Sequence, residues 1–270
     1  MGGVYAYMTL LDLMMEQGKI INTPVATYRC FAPGAGVEVW ARQETDEKLG
    51  HLHAHFAGAA RMRVALVEKR PGTSALSDGL FVAYFNHKEG EGLESVHERL
   101  RYGDGTYTGV IPFVFSTPDY NRYAELSMPV VTDVQLVAFP FKMTAYETED
   151  DWIDWQFEER KKVQGAEADD DGGFYGGASF IPLAAFFDKK SPDDFPKPMA
   201  ILSGVVLDTA ILTNPATGQD FSWARIETAA GEMDLVVSPQ LLEGYLIEGG
   251  VAAGECYLSG RLPEFAPHVG

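Results

Sequence analysis

From Leu52 to Leu66 the sequence alternates with a period of two. One face carries Leu52, Ala54, Phe56, Gly58, Ala60, Met62, Val64 and Leu66, and the other carries His53, His55, Ala57, Ala59, Arg61, Arg63 and Ala65. Successive side chains of a β-strand point to opposite faces, so this pattern predicts a strand with one apolar face against a core. Ordinary strands run about 3 to 10 residues. A longer one must bend, and Gly58, near its middle, is where a bend or bulge is sterically easy. A strand of this kind starts a small curved barrel more naturally than a flat sheet.

The same order of elements occurs twice along the chain. After the long strand come a turn at Arg70-Pro71-Gly72-Thr73, strands at Gly79–Asn86 and Gly109–Ser116, a helical turn beginning at Thr117-Pro118, and a closing strand at Pro129–Met143. The second course has a long strand at Ala200–Leu212 with Gly204 inside it, a turn at Asn214–Gly218, and strands at Asp220–Thr228 and Met233–Ser238. A short helix at Pro239-Gln240-Leu241-Leu242 and a closing strand at Gly250–Leu262 complete it. FAGAARMRVALVEKRPG aligns with LSGVVLDTAILTNPATG, and FVFSTPDY with LVVSPQLL. This is the signature of an internal duplication.

A five-stranded Greek-key barrel with a long bent first strand and a helix after the third is the OB architecture, and each half resembles an OB-fold. The carrying residues in the second half are Gly204, the Asn214–Gly218 turn, Ser238-Pro239, and Gly254 and Gly260 in the last strand. The resemblance covers residues 51–146 and 198–262. It implies a mostly β fold: two OB-like Greek-key barrels from an internal duplication, with short helices. Only four strands per copy are evident; ATYRCF or SFIPLAAFF (residues 179–187) is expected to supply the fifth. The first copy also carries an insertion, His87–Thr108, rich in Glu and Gly.

Around this repeat, the N-terminal stretch predicts a helix over Tyr5–Gln17 closed by Gly18, then a hairpin of PVATYRCF and GVEVWAR. A helix is predicted over Asp150–Val163, capped by Thr148 and carrying acids first and bases last, as the helix dipole favours. An acidic, Gly-rich linker follows. The expected organisation is an N-terminal OB-like domain with a helical and hairpin extension over 1–146, the acidic helix and linker over 147–178, and a C-terminal OB-like domain over 179–270.

Charge narrows the function classes. The chain of 270 residues has 39 acidic against 21 basic residues, a net charge of −18. Residues 1–150 contribute −6 and residues 151–270 contribute −12. Attraction to a phosphate backbone is disfavoured by that sign, and a partner with a basic surface is favoured. No apolar run reaches the ~18 residues of a membrane span. Cys30 and Cys256 are too far apart in sequence to form a CxxC metal site or a disulfide framework, and they read as buried small hydrophobes. With no secretory signal at the N-terminus, the expected setting is cytoplasmic.

Several side chains are candidates for a site. His51, His53 and His55 share a strand face and, with a carboxylate from elsewhere, would suit a divalent metal. Their spacing of about 6.5 to 7 Å between neighbours is long for three ligands on one ion, and a solvated polar face is the plainer reading. Arg61 and Arg63 extend that face into a cationic strip for a phosphate or an acidic partner, or simply neutralise neighbouring carboxylates. Trp223 and Arg225 on one strand, with Phe221, and Tyr257 and Arg261 on another, form the aromatic and basic grouping that stacks single-stranded nucleic acid, although the same rings serve equally as core. Trp152 and Trp155 on the acidic helix could dock on a partner or cover the barrels. No nucleophile elbow, HExxH or phosphate-loop motif is present. The expected function is therefore non-catalytic binding of a protein partner or of a second copy, without a cofactor. Single-stranded nucleic-acid binding and a metal-dependent enzyme using the His cluster are the alternatives.

Overall fold

The computed structural model describes residues 2–46, 48–72, 78–85, 112–164, 177–186 and 195–263. The protein is mostly β. Helix α1 (Gly2–Gln17) precedes a four-stranded antiparallel sheet in sequence order, β1 (Lys19–Asn22), β2 (Thr27–Gly34), β3 (Val37–Thr45) and β4 (Lys48–Phe56). The predicted hairpin is β2–β3; its turn has positive φ at Gly34 and Gly36, which glycine tolerates, and at Ala35 between them. Met14 of α1 is fully buried against Phe31 and Ala41.

The ten-stranded main sheet holds β5 (Met62–Pro71), β6 (Gly79–Tyr84), β7 (Pro112–Thr117), β8 (Val130–Tyr146), β9 (Ser179–Pro182), β10 (Met199–Thr213), β11 (Asp220–Thr228), β12 (Gly231–Val237), β13 (Leu242–Glu243) and β14 (Val251–Arg261). Helix α2 (Glu149–Gln164) lies between β8 and β9. It starts as predicted: the Thr148 hydroxyl accepts from the Asp151 amide at 3.1 Å, and the Asp151 carboxylate accepts from the Thr148 amide at 3.1 Å. Short 3-10 turns follow the third strand of each half, at Tyr120–Tyr123 and Pro239–Leu241.

Pairing closes two rings. One runs β5–β6–β7–β14–β8 and back to β5; the other runs β10–β11–β12–β8–β14 and back to β10. All contacts are antiparallel except one per ring: β14 with β7 at Ser259↔Ser116, and β12 with β8 at Asp234↔Val137. Thus β8 and β14 belong to both. At 17 residues, β8 spans about 56 Å at the usual strand rise. Its first part pairs β5, and its later part crosses to β12; β14 starts on β10 and ends on β7. One apolar core fills both rings, from Met62, Val64, Phe81 and Phe115 to Ile226, Leu235 and Leu258.

Three expectations change here. Leu52–Leu66 is two strands rather than one bent strand: β4 ends at Phe56, β5 begins at Met62, and they lie in different sheets. Gly58 does mark the break. A Cβ there would fall 2.0 Å from the Asp234 carboxylate, so any larger residue would have to displace that buried group. The fifth strand of each ring comes from the other half's closing strand. ATYRCF is β2, in the separate sheet, and SFIP forms β9, an extra strand along the start of β10. The sheet draws strands from both sides of the acidic segment, so the halves meet within one hydrogen-bonded structure. The insertion His87–Thr108 and the linker at residues 165–171 lie outside the described residues. Among the described residues no helix is long and apolar enough to cross a membrane.

Candidate functional site

The histidines and arginines of the Leu52–Leu66 stretch do not form one face. His51 is exposed, His53 is half-buried, and His55 is buried with both ring nitrogens engaged. Arg61 donates to the carbonyls of Gly58 and Ala60, and Arg63 pairs with Asp133 at 3.2 Å on the other sheet. The break between β4 and β5 is the cause, because it rotates the second half of the stretch into a new sheet. Among the described residues no group of three or more His, Cys, Asp or Glu is placed to hold a metal ion. Cys30 and Cys256 are buried and free, and burial pushes the Cys30 thiol up to about 12.

The aromatic and basic grouping is used largely inside the fold. Trp223 packs on Phe56 of β4 with ring centroids 6.2 Å apart and donates its indole N–H to Asp234 at 2.9 Å. Arg225 pairs with Glu232 at 2.8 Å. Tyr257 is half-buried, and burial raises its phenol above the ordinary range. Arg261 is buried between the two sheets, with Asp119 at 3.2 Å, Glu38 at 3.2 Å, and the Trp40 ring centroid 4.4 Å from its guanidinium carbon. Burial opposes the guanidinium charge, but the Asp119 and Glu38 carboxylates outweigh it and hold its pKa above the ordinary value.

These residues belong to a polar seam that joins the four-stranded sheet to the main one. Gln135 donates to Asp234 at 2.8 Å, which turns its carbonyl oxygen to Nε2 of His55 at 2.7 Å. Nε2 therefore carries the hydrogen, and Nδ1 accepts from the Ser259 hydroxyl at 3.0 Å. A Ser–His pair of this kind resembles a nucleophile and its base, but Ser259 is 2% and His55 3% exposed, so no substrate reaches it. Burial of the Asp234 carboxyl raises its pKa, opposed by hydrogen bonds from Trp223 and Gln135. A third link joins Tyr28, Asp78 and Asn121: the Tyr28 hydroxyl donates to Asp78 and accepts from the Asn121 amide at 3.0 Å.

The seam makes stability depend on pH. Burial holds His55 down at about 3, against 6.5 for a free imidazole. As pH falls through 6.5 the unfolded chain takes up a proton that the folded chain refuses, so stability drops by up to about 1.4 kcal/mol per pH unit. Asp234, with its raised pKa, acts in the opposite sense at lower pH, so the effect is cleanest from about pH 6.5 to pH 5. Urea unfolding at stepped pH should show His55→Gln with a shallower slope than the parent; equal slopes would refute the assignment.

An open concavity of about 520 Å³ lies between α2 and the outer face of β9, β10, β14 and β8. The strand registers set its floor in rows. Ile181, Ile201, Glu255 and Lys142 are cross-strand neighbours, and so are Ser179, Ser203, Ala253 and Thr144. The Ser179 and Ser203 hydroxyls bond at 2.8 Å. Helix residues at the i, i+3, i+4 and i+7 positions, Trp152, Trp155, Gln156 and Glu159, make the wall. Tyr146, Trp152 and Trp155 pack together with centroids 5.1 to 5.9 Å apart. Pro140 interrupts the β8–β14 ladder: Glu255 faces Lys142 and Cys256 faces Pro140, so Phe141 is the extra residue of a β-bulge and turns outward.

Of these residues, sequence reasoning singled out only the tryptophans. Trp152 is buried and Trp155 exposed, so the helix both covers the sheet and offers a ring. A proline inside an apolar strand pattern was the available signal for the bulge at Phe141. The fold and groove define a mostly β protein with an open, aromatic-walled cleft. No family model, no curated protein and no solved structure matches this chain.

Proposed function

We propose that the chain is a non-catalytic binding protein built on two duplicated OB-like barrels, and that its partner is a protein with a basic surface. The two five-strand rings, each with a 3-10 turn after the third strand and the second with a long first strand, β10, support the barrel reading. The observation that carries the binding reading is the position of the groove. It opens beside the helix whose first turn holds Glu149, Asp150 and Asp151, in a chain of net charge −18. Apolar surface left open in a monomeric fold marks an interaction site, and the surrounding charge selects the partner's sign.

Tagged protein isolated from its native cell at low salt should bring down a basic protein that is released between about 50 and 300 mM salt, as screening shortens the range of exposed charges. Sedimentation of the purified chain separates this from self-association. Recovery of the tagged chain as a free monomer at low salt would overturn the proposal.

A further inference from the structure

We infer that the α2 groove seats an uncharged aromatic side chain of the partner, flanked in the partner's sequence by lysine or arginine. The inference deepens the reading above and rests on it. Three of the large apolar side chains exposed on this protein converge on one cleft: Phe141 at 53%, Trp155 at 45% and Ile201 at 45% exposure. They come from a bulge, a helix and a strand, so their meeting does not follow from any one element's pattern. A buried aromatic anchor in such a pocket is the usual centre of binding energy at a protein interface.

The charges say which part of the partner enters. Inside the groove Lys142 and Arg160 balance Glu159 and Glu255, which favours an uncharged group. Surplus negative charge lies outside, where Glu149, Asp150, Asp151 and Asp154 occupy the first turns of α2 without an intervening base. The packing of the aromatic side chains on one another provides no cage between rings for a cation: Tyr146, Trp152 and Trp155 are in mutual contact, with centroids 5.1 to 5.9 Å apart. They present one composite surface on which a ring can lie, while cationic flanks remain in solvent near the carboxylates.

The test is fluorescence anisotropy of the full chain with short fluorescein-labelled peptides. One has a central phenylalanine between lysine pairs, a second replaces the phenylalanine by alanine, and a third replaces the lysines by glutamates. The first should bind at least about tenfold more tightly than either other. Ile201→Asp, at a position already half in solvent, should weaken it by about tenfold or more with the circular dichroism unchanged, and Trp155→Ala should do the same. Equal binding of the alanine peptide, or full affinity in a folded Ile201→Asp variant, would overturn the inference. Polylysine separates the two levels. If it binds both parent and Ile201→Asp while the phenylalanine peptide shows no preference, the basic-partner reading stands and the groove assignment falls. If neither polylysine nor peptide binds, both fall.

Discussion

Arg261→Met is expected to lower the stability of the protein by about 3 to 5 kcal/mol, because it removes one partner from a buried ion cluster and leaves the others in place. Glu38 is 7% and Asp119 0% exposed, so neither carboxylate can turn to water when the guanidinium goes. Asp119 retains Thr117 at 3.1 Å and Arg122 at 3.5 Å; Glu38 retains the Trp40 indole at 2.8 Å. Arg122 keeps a positive charge beside Asp119, whereas the Trp40 indole gives Glu38 a hydrogen bond and no charge. The contrast is Arg63→Met, whose pair with Asp133 is about half exposed on both sides and whose loss should cost under about 1 kcal/mol. Combining Arg261→Met with Glu38→Gln should recover part of the loss, since Asp119 keeps Arg122 and Glu38 is no longer a stranded charge. Guanidinium unfolding of the variants reads all of these values. If Arg261→Met cost no more than Arg63→Met, the seam would not be what fastens the two sheets.

The second large effect is on folding as a unit. A chain ending at Gly250 should fail to form either ring, although it keeps β5, β6 and β7 whole. Strand β14 supplies seven paired positions to β10, eleven to β8, and the one bridge to β7. It also brings Ala252, Cys256, Leu258 and Arg261 into the interior. Two barrels that were closed on their own strands would respond differently: the first would survive the truncation and the second alone would melt. The parent protein should accordingly unfold in a single transition, with the fluorescence of Trp40 and Trp223 changing together. A truncated chain that retained slow amide exchange through β5–β7 would show that the first ring stands alone.

Local elements were legible where one short stretch of sequence decides them. The Thr148 cap, the acids that follow it and the late lysines defined α2, and alternation placed β11 at Asp220–Thr228. Alternation also gave the buried face of β5, with Met62, Val64 and Leu66 all inside. It could not show that the pattern changes sheets at Gly58, because period two reports a face and says nothing of which strand lies alongside. The missing strand of each ring was hidden for the same reason. Arg261 read as part of a binding face rather than as half of a buried ion cluster, since its partners Asp119 and Glu38 lie 142 and 223 residues away in sequence. The groove was half legible: a tryptophan pair on an acidic helix is visible, whereas the Phe141 and Ile201 side of it needs the strand registers.

The exchange of closing strands also sets a timetable for synthesis. Ser116 on β7 meets its parallel partner Ser259 only after 143 further residues have been added. At about 5 to 20 residues per second the ribosome takes roughly 7 to 29 s over that interval. Throughout it the β7 edge, with the sequence PFVFST, has backbone groups awaiting a strand that does not yet exist. For that interval the edge is open to pairing with another chain, so the connectivity of this fold carries a hazard of misassociation during synthesis.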